Sequence, residues 1–437
     1  MKKRTERSIN RCDILVGVLV PSTSTHAGKR EGRKMTANDQ YSVGGVLYPQ
    51  PFKIRRLGHF GFNVSDLDKG RDFYSRQLGF RITEEINLSE LAPQFANLEN
   101  SDVIFFSHNS DHHAFLLAHR SLGALFGDDA ISADITMNQL TWQVNTLEEV
   151  VKARDFFADK GIEVRRTGRD MPGSNWHVYV RDPDGYTVEL YYGMEQVGWD
   201  GISKPRELYS RRFEEAPPLP QISEKTEVEE AEGKGCNIFS GYRRKDLGTG
   251  DFVVSGVRLA RPFRITRIGP IKILVKDVSA SEHFYTNLMG FKLTETVIYK
   301  GHRCLFLRNG TEHHSLALLP KLLRDELELS SHTACASVGL ELGSYQQLRD
   351  AVAFLKKDGV RMTDALPPEL SPGVDYSAHV LDHDGHCLQL YYYMEQIGWD
   401  GRPRPANLRR TVSKHWPETL VPMSDTYSDD SFHGPLG

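Results

Sequence analysis

A histidine, a glutamate and a glutamine fall on strand-like segments where period-two alternation gives each a polar row to itself. Over 59–64, His59, Gly61 and Asn63 point one way while Phe60, Phe62 and Val64 point the other. Over 139–144, Gln139, Thr141 and Gln143 oppose Leu140, Trp142 and Val144. Over 187–192, Thr187, Glu189 and Tyr191 oppose Val188, Leu190 and Tyr192, and just upstream His177 and Tyr179 oppose Val178 and Val180. His112 shares a face with Ala114 and Leu116, opposite His113 and Phe115. The apolar rows would pack under helices, which leaves the polar rows to line the concave sides of sheets. Burying them there without partners costs kilocalories, and a divalent metal is one economical partner.

The elements that must position these residues occur twice. Ile54 to His59 returns as Ile265 to Pro270, Phe73-Tyr74 through Phe80 as Phe284-Tyr285 through Phe291, and His112-His113 as His313-His314. The close of each half matches best: Asp182-Pro183-Asp184-Gly185 becomes Asp382-His383-Asp384-Gly385, and Met194 to Gly201 becomes Met394 to Gly401. Matches kept in one order over so long a span exclude chance. Within a copy, a strand (Phe60 to Val64) leads to a helix carrying Leu67, Tyr74 and Leu78, and further strands end at His112 to Ala118. A second strand (Leu140 to Val144), a second helix (Leu147 to Lys160) and two strands joined at Asp-Pro-Asp-Gly follow. Strand, helix, three strands, twice per copy, predicts an α+β fold of tandem paired βαβββ modules. The helices of copy two fall near Val278 to Leu288 and Tyr345 to Lys357.

Five segments result. Residues 1–50 read as a disordered extension, with Met35 as an alternative start; 51–202 form the first domain; 203–262 are a charged linker, most acidic at 224–232 and read as solvated. Residues 263–402 form the second domain, and 403–437 a tail with little core. Trp199 and Trp399 read as aromatic plugs closing each domain.

Composition narrows the function. With 437 residues and a formal net charge of -4, the chain offers no basic field for nucleic acid or an anionic membrane. The apolar run 14–20 is too short to span a bilayer. Five scattered cysteines without a C-x-x-C argue against a disulfide framework or structural zinc and fit a reducing cytoplasmic setting.

The patterns G-H-F-x-x-x-V-x-D-L at 58–67, F-Y-x-x-x-L-G-F at 73–80 and D-P-D-G-x-x-V-E-L-Y at 182–191 resemble the vicinal-oxygen-chelate (glyoxalase/bleomycin resistance/extradiol dioxygenase) superfamily. Within it the chain is most similar to the type I extradiol ring-cleavage dioxygenases, well over 54–201 and more loosely over 265–401. The resemblance implies Fe(II), or Mn(II) or another divalent ion, held by His59, Gln139 and Glu189. It also implies catalytic roles for His112, as an acid–base group, and Tyr179, as a hydrogen-bond donor to a substrate oxygen. Asn63 and His177 are inward-facing candidates for substrate contact. A small aromatic diol and O2 would be the partners, and the open question of a homo-oligomer stays open.

The departures from that pattern are as informative. Gln139 stands where the dioxygenases have histidine, and an amide oxygen is the weaker donor. Glyoxalase I-like isomerases use glutamine as a ligand, but their second carboxylate would fall near Leu116. Copy two carries Pro270, Ser337 and Gln389 at the ligand positions, a degenerate site. Three readings follow: an extradiol-type dioxygenase; a metal-dependent isomerase or epimerase working without O2; and a small-molecule binding protein without catalysis. The stretch between Phe80 and His112, about ten residues longer than in copy two, is expected to shape the pocket.

Overall fold

A computed structural model describes residues 40–421, apart from 92, 123–135, 199, 210, 213–215, 246–247 and 332. Expectations for 1–39, for Trp199 and for 422–437 lie outside the described residues. Each copy builds one long mixed sheet in which eight strands keep the same order counted from opposite edges, and copy one adds 211–212 at one edge. In copy one the order is 211–212, 166–169, 176–181, 187–192, 137–143, 56–64, 115–119, 102–107 and 81–87. In copy two it is 292–299, 302–308, 316–320, 265–275, 335–342, 387–391, 377–381 and 361–363. The two opening strands of a copy run antiparallel at the centre, and each is flanked by the closing strand of its own module in parallel register. That arrangement brings residues far apart in sequence into one lateral row: His59 opposite Thr141, Thr141 beside Glu189, Glu189 opposite Tyr179.

The helices start where short polar side chains take up free backbone N–H groups. Asp66 accepts from Lys69 N, Thr146 from Glu149 N, Asp277 from Ser279 N and Ala280 N, and Ser344 from Gln347 N. The Leu67–Arg71 and Val278–His283 helices each run on into a π-helical turn carrying Phe73-Tyr74 and Phe284-Tyr285. Those turns aim the tyrosines across to the other copy. Tyr74 Oη donates to Asp382 (3.0 Å) and Tyr285 Oη to Asp182 (2.8 Å), so each Asp-x-Asp-Gly turn is clamped by the opposite domain. Asp184 accepts from Lys276 N and Ser281 Oγ, and Asp384 accepts from Ser65 N. The apolar core is continuous across this seam, with Trp142 against Phe291 and Phe62 stacked on His386 at 4.1 Å.

Four expectations for the flanking segments and closing motifs are corrected. Residues 41–43 and 46–48, placed in the disordered extension, form a hairpin, matched before copy two by 252–254 and 257–259; Phe52 and Phe263 then anchor each arm in the core. The acidic linker stretch is a helix, Glu224–Gly233, capped by Ser223 and fastened by Glu227, which pairs with Arg169 in a buried ion pair (Nη2 to Oε2 3.0 Å). A buried guanidinium needs such a partner, which is why this glutamate faces inward. Trp399 is 87 % exposed and plugs nothing; Met394, Glu395 and Ile397 are the buried members of its motif. The tail contributes to the core through Trp416, whose ring packs on Tyr376 and Tyr345.

Candidate metal centre

His59 and Glu189 meet on the concave face of copy one. His59 is 1 % and Glu189 0 % exposed, with His59 Nε2 3.1 Å from Glu189 Oε2. Strand register makes the meeting possible, because the parallel pairing of 137–143 with 187–192 places Glu189 one strand from Thr141 and two from His59. Thr141 Oγ1 donates to Glu189 Oε2 (2.9 Å), and Asn175 Nδ2 donates to Oε1 (2.8 Å). Burial pushes the Glu189 carboxyl up, but the His59 charge and hydrogen bond outweigh it, so its pKa lies below the usual carboxylate value.

These groups suit a divalent metal. An imidazole nitrogen and a carboxylate oxygen bound to one ion at right angles, each at ~2.1 Å, stand about 3 Å apart, and His59 and Glu189 already have that spacing. Thr141 and Asn175 hold the carboxylate in place, the role of outer partners around a metal ligand. The third residue expected as a donor, Gln139, is 8 % exposed and on the same face one row along, opposite Gly61; its Oε1 lies 3.5 Å from the Tyr179 hydroxyl. Among the described residues, no three His, Cys, Asp or Glu side chains gather as a ready-made metal cluster.

The remaining expected residues separate. Tyr179 is half-buried, its ring 5.5 Å from the Arg166 guanidinium and 4.8 Å from His177. Burial and then the Glu189 charge hold its hydroxyl well above the usual phenol value, keeping it a donor. His177 is buried beside Glu189, Nδ1 3.8 Å from Oε1, and its Nε2 faces Asp170 at 3.4 Å. Asn63 does not join them: four residues along its strand is roughly 13 Å from His59, and its amide oxygen accepts from Asn138 instead.

His112 takes a different place from the one that alternation assigns. The strand begins at Phe115, so His112 and His113 lie in the turn before it and both are buried. His113 is the one against the site, with its ring 4.4 Å from that of His59. His112 stands behind it, Nδ1 3.0 Å from His113 Nδ1 and Nε2 2.8 Å from Glu84 Oε2. Burial opposes protonation of His112, but Glu84 overrides it and raises the pKa; burial and the neighbouring imidazoles push His113 well below the usual value. The longer stretch before His112 builds an apolar cluster of Leu88, Phe95, Phe105 and Leu116, and Phe105 packs on His113 at 5.0 Å.

Sequence reasoning missed His113, Asn175 and Tyr191. Tyr191 Cε1 would lie 2.1 Å from a Cβ at Gly58, and its ring sits 5.2 Å from His59. The glycine of the Gly58-His59 pair was the available signal: no larger residue lets this tyrosine approach.

Copy two has exchanged these donors. Gln389 takes the register position of Glu189, opposite His379, and Lys272 stands two residues beyond Pro270, where copy one has Gly61. The Lys272 ammonium, 0 % exposed, donates to Gln389 Oε1 and Ser371 Oγ at 2.7 Å each. Copy two thus places an internal lysine ammonium among the polar residues that replace the copy-one set.

Comparison with known proteins fits this geometry. The model of the Glyoxalase/Bleomycin resistance protein/Dioxygenase superfamily matches residues 56–190 and 267–390, and the chain belongs to that superfamily. It is 24 % identical to the 3-methylcatechol 2,3-dioxygenase of Pseudomonas putida over 141 residues, 32 % of this chain and 43 % of that protein. It is 26 % identical to metapyrocatechase 2 of Cupriavidus necator (36 % of this chain, 44 % of that protein). Identity to the lactoylglutathione lyase GLX1 of Arabidopsis thaliana is 28 % (31 % of this chain, 44 % of that protein). The chain spans less than half the length of each of these relatives. Among solved structures, homoprotocatechuate 2,3-dioxygenase from Brevibacterium fuscum superposes with a TM-score of 0.50 at 16 % identity, covering 84 % of this chain and 88 % of that one.

Proposed function

We propose that the protein is a metal-dependent enzyme of the extradiol dioxygenase type, taking a catechol-like diol and O2 at the N-terminal copy. The observation that carries this reading is the buried His59–Glu189 pair with the Tyr179 hydroxyl beside Gln139 on the neighbouring row. His59, Glu189 and the Gln139 amide oxygen would hold the ion, Fe(II) in this reading. The ion would supply Lewis acidity and a chelation point for two vicinal oxygens.

The chain's own residues set up the rest. Tyr179, protonated at neutral pH and part-exposed, donates a hydrogen bond to a substrate oxygen entering beside Gln139. His113 packs on the His59 ring and fixes its orientation, and His112, held by Glu84, is a positioning residue that acts through His113. Phe105 and Leu116 make this wall apolar and exclude water. Leu116 also argues against the isomerase reading, since no carboxylate stands at that position.

The test is anaerobic loading with Fe(II), a screen of substituted catechols, and mass analysis of product formed under 18O2. Two labelled oxygens in a ring-opened product are expected, with the activity lost in Glu189→Ala. Turnover of a substrate without O2 would move the protein to the isomerase class.

A further inference from the structure

The segment after each Gly-Trp-Asp-Gly motif holds a difference between the copies that the candidate metal centre does not use. In copy two Arg409 bridges two carboxylates: Nε donates to Glu395 Oε2 (3.1 Å), Nη1 and Nη2 to Glu295 (3.2 and 2.6 Å), and Nη2 also lies 3.2 Å from His313 Nε2. Burial raises the Glu295 carboxyl, but His313 and Arg409 bring it down to about 2.

Copy one builds the same carboxylate pair. Glu84 follows the same bulge as Glu295, and it accepts from His112 as Glu295 does from His313. Glu195 repeats Glu395: its carbonyl accepts from His112 N and its Oε1 from Lys204 N, as those of Glu395 accept from His313 N and Arg404 N. The residue at the place of Arg409 is Tyr209, which is 6 % exposed and carries no charge. Ser203 Oγ donates to Glu84 Oε2 and covers part of the deficit. Glu195 Oε2, in a residue 6 % exposed, has no hydrogen-bond partner among the described residues, although its counterpart in copy two is the oxygen that accepts from Arg409 Nε. The nearby Lys204 ammonium is turned outward to Glu224. A buried carboxylate oxygen without a donor is costly, and copy two shows what the same frame holds when complete.

We propose that the N-terminal copy binds a hard divalent cation of the calcium class between Glu84 and Glu195, in the place that the Arg409 guanidinium takes in the C-terminal copy. The donors are all oxygens, namely the two carboxylates with the Ser203 hydroxyl, which is the ligand type such ions prefer. The site shares no ligand with the His59–Glu189 centre, from which His112 and His113 divide it, and it does not rest on the dioxygenase reading.

The experiment is a calcium chloride titration followed by thermal melting at constant ionic strength, with choline chloride as the balance. A saturable rise in Tm of roughly 2–4 °C is expected for the wild type. It should survive Glu189→Ala, or His59→Gln should that chain not fold, and vanish in Glu195→Gln. Tyr209→Arg should supply the cation internally, melting higher than wild type without calcium and no longer responding to it. The proposal is overturned by a flat titration of the wild type, by a rise that persists in Glu195→Gln, or by one that disappears with the His59–Glu189 centre.

Discussion

Replacing Lys272 by methionine should stabilise the protein near neutral pH, and the gain should disappear as pH rises. Lys272 is wholly enclosed, and burial lowers its pKa from 10.5 to about 7. A shift of that size corresponds to roughly 4–5 kcal/mol held against the folded state at pH 7 and below. Methionine fills a similar volume without charge but forfeits the donations to Gln389 and Ser371, about 1–2 kcal/mol each. The Gln389 amide keeps its own bonds to Ser371 and Ser377, so the net gain should be about 1–2 kcal/mol at pH 7. Between pH 7 and 10.5 the unfolded lysine carries a proton that the folded one has lost, so wild-type stability rises with pH in that window. The methionine variant has no such term. Urea unfolding of both proteins from pH 6 to 10 should give a difference that is constant below pH 7. Above it the difference should fall by about 1 kcal/mol per pH unit and change sign near pH 9. A difference independent of pH across that range would refute the reasoning, because it would mean that the interior tolerates the ammonium throughout.

Other consequences are equally direct. Gln139→His should raise ferrous iron affinity by at least about tenfold in equilibrium dialysis, since imidazole is the stronger donor and the position shares the face of His59 and Glu189. Asp182→Asn and Asp382→Asn should differ although their turns are equivalent. Burial raises Asp182 to about 7, so its carboxyl weakens folding progressively as pH rises from about 4 to 7, and the amide should be neutral or stabilising at pH 8. Asp382 is held below the usual carboxylate value by His386 against the effect of burial, and its loss should cost about 2–4 kcal/mol in urea unfolding at the same pH. Gly58→Ala should place a methyl against the Tyr191 ring and cost about 1–3 kcal/mol by thermal melting.

The sequence by itself determined the repeat, the strand–helix–strand order and the polar rows, because each rests on local periodicity. The helix Tyr345–Lys357 begins and ends where its pattern and the Ser344 cap put it. His59, Glu189 and Tyr179 were legible for the same reason, as regular strand positions whose faces follow from counting by two. His112 and His113 were not, because they lie in a turn, where alternation has no force and a neighbour decides which ring faces the site. Asn63 passed the alternation test and still lies away from His59, since alternation assigns a face and says nothing of depth along the strand. Asn175, Tyr191, Arg409 and Lys272 acquire meaning only through partners between about 14 and 130 residues away in the same copy, brought near by sheet register and by the folding of each copy's closing segment onto its sheet. Which charge is neutralised, and by what, is a property of that three-dimensional neighbourhood, and only the tertiary structure decides it.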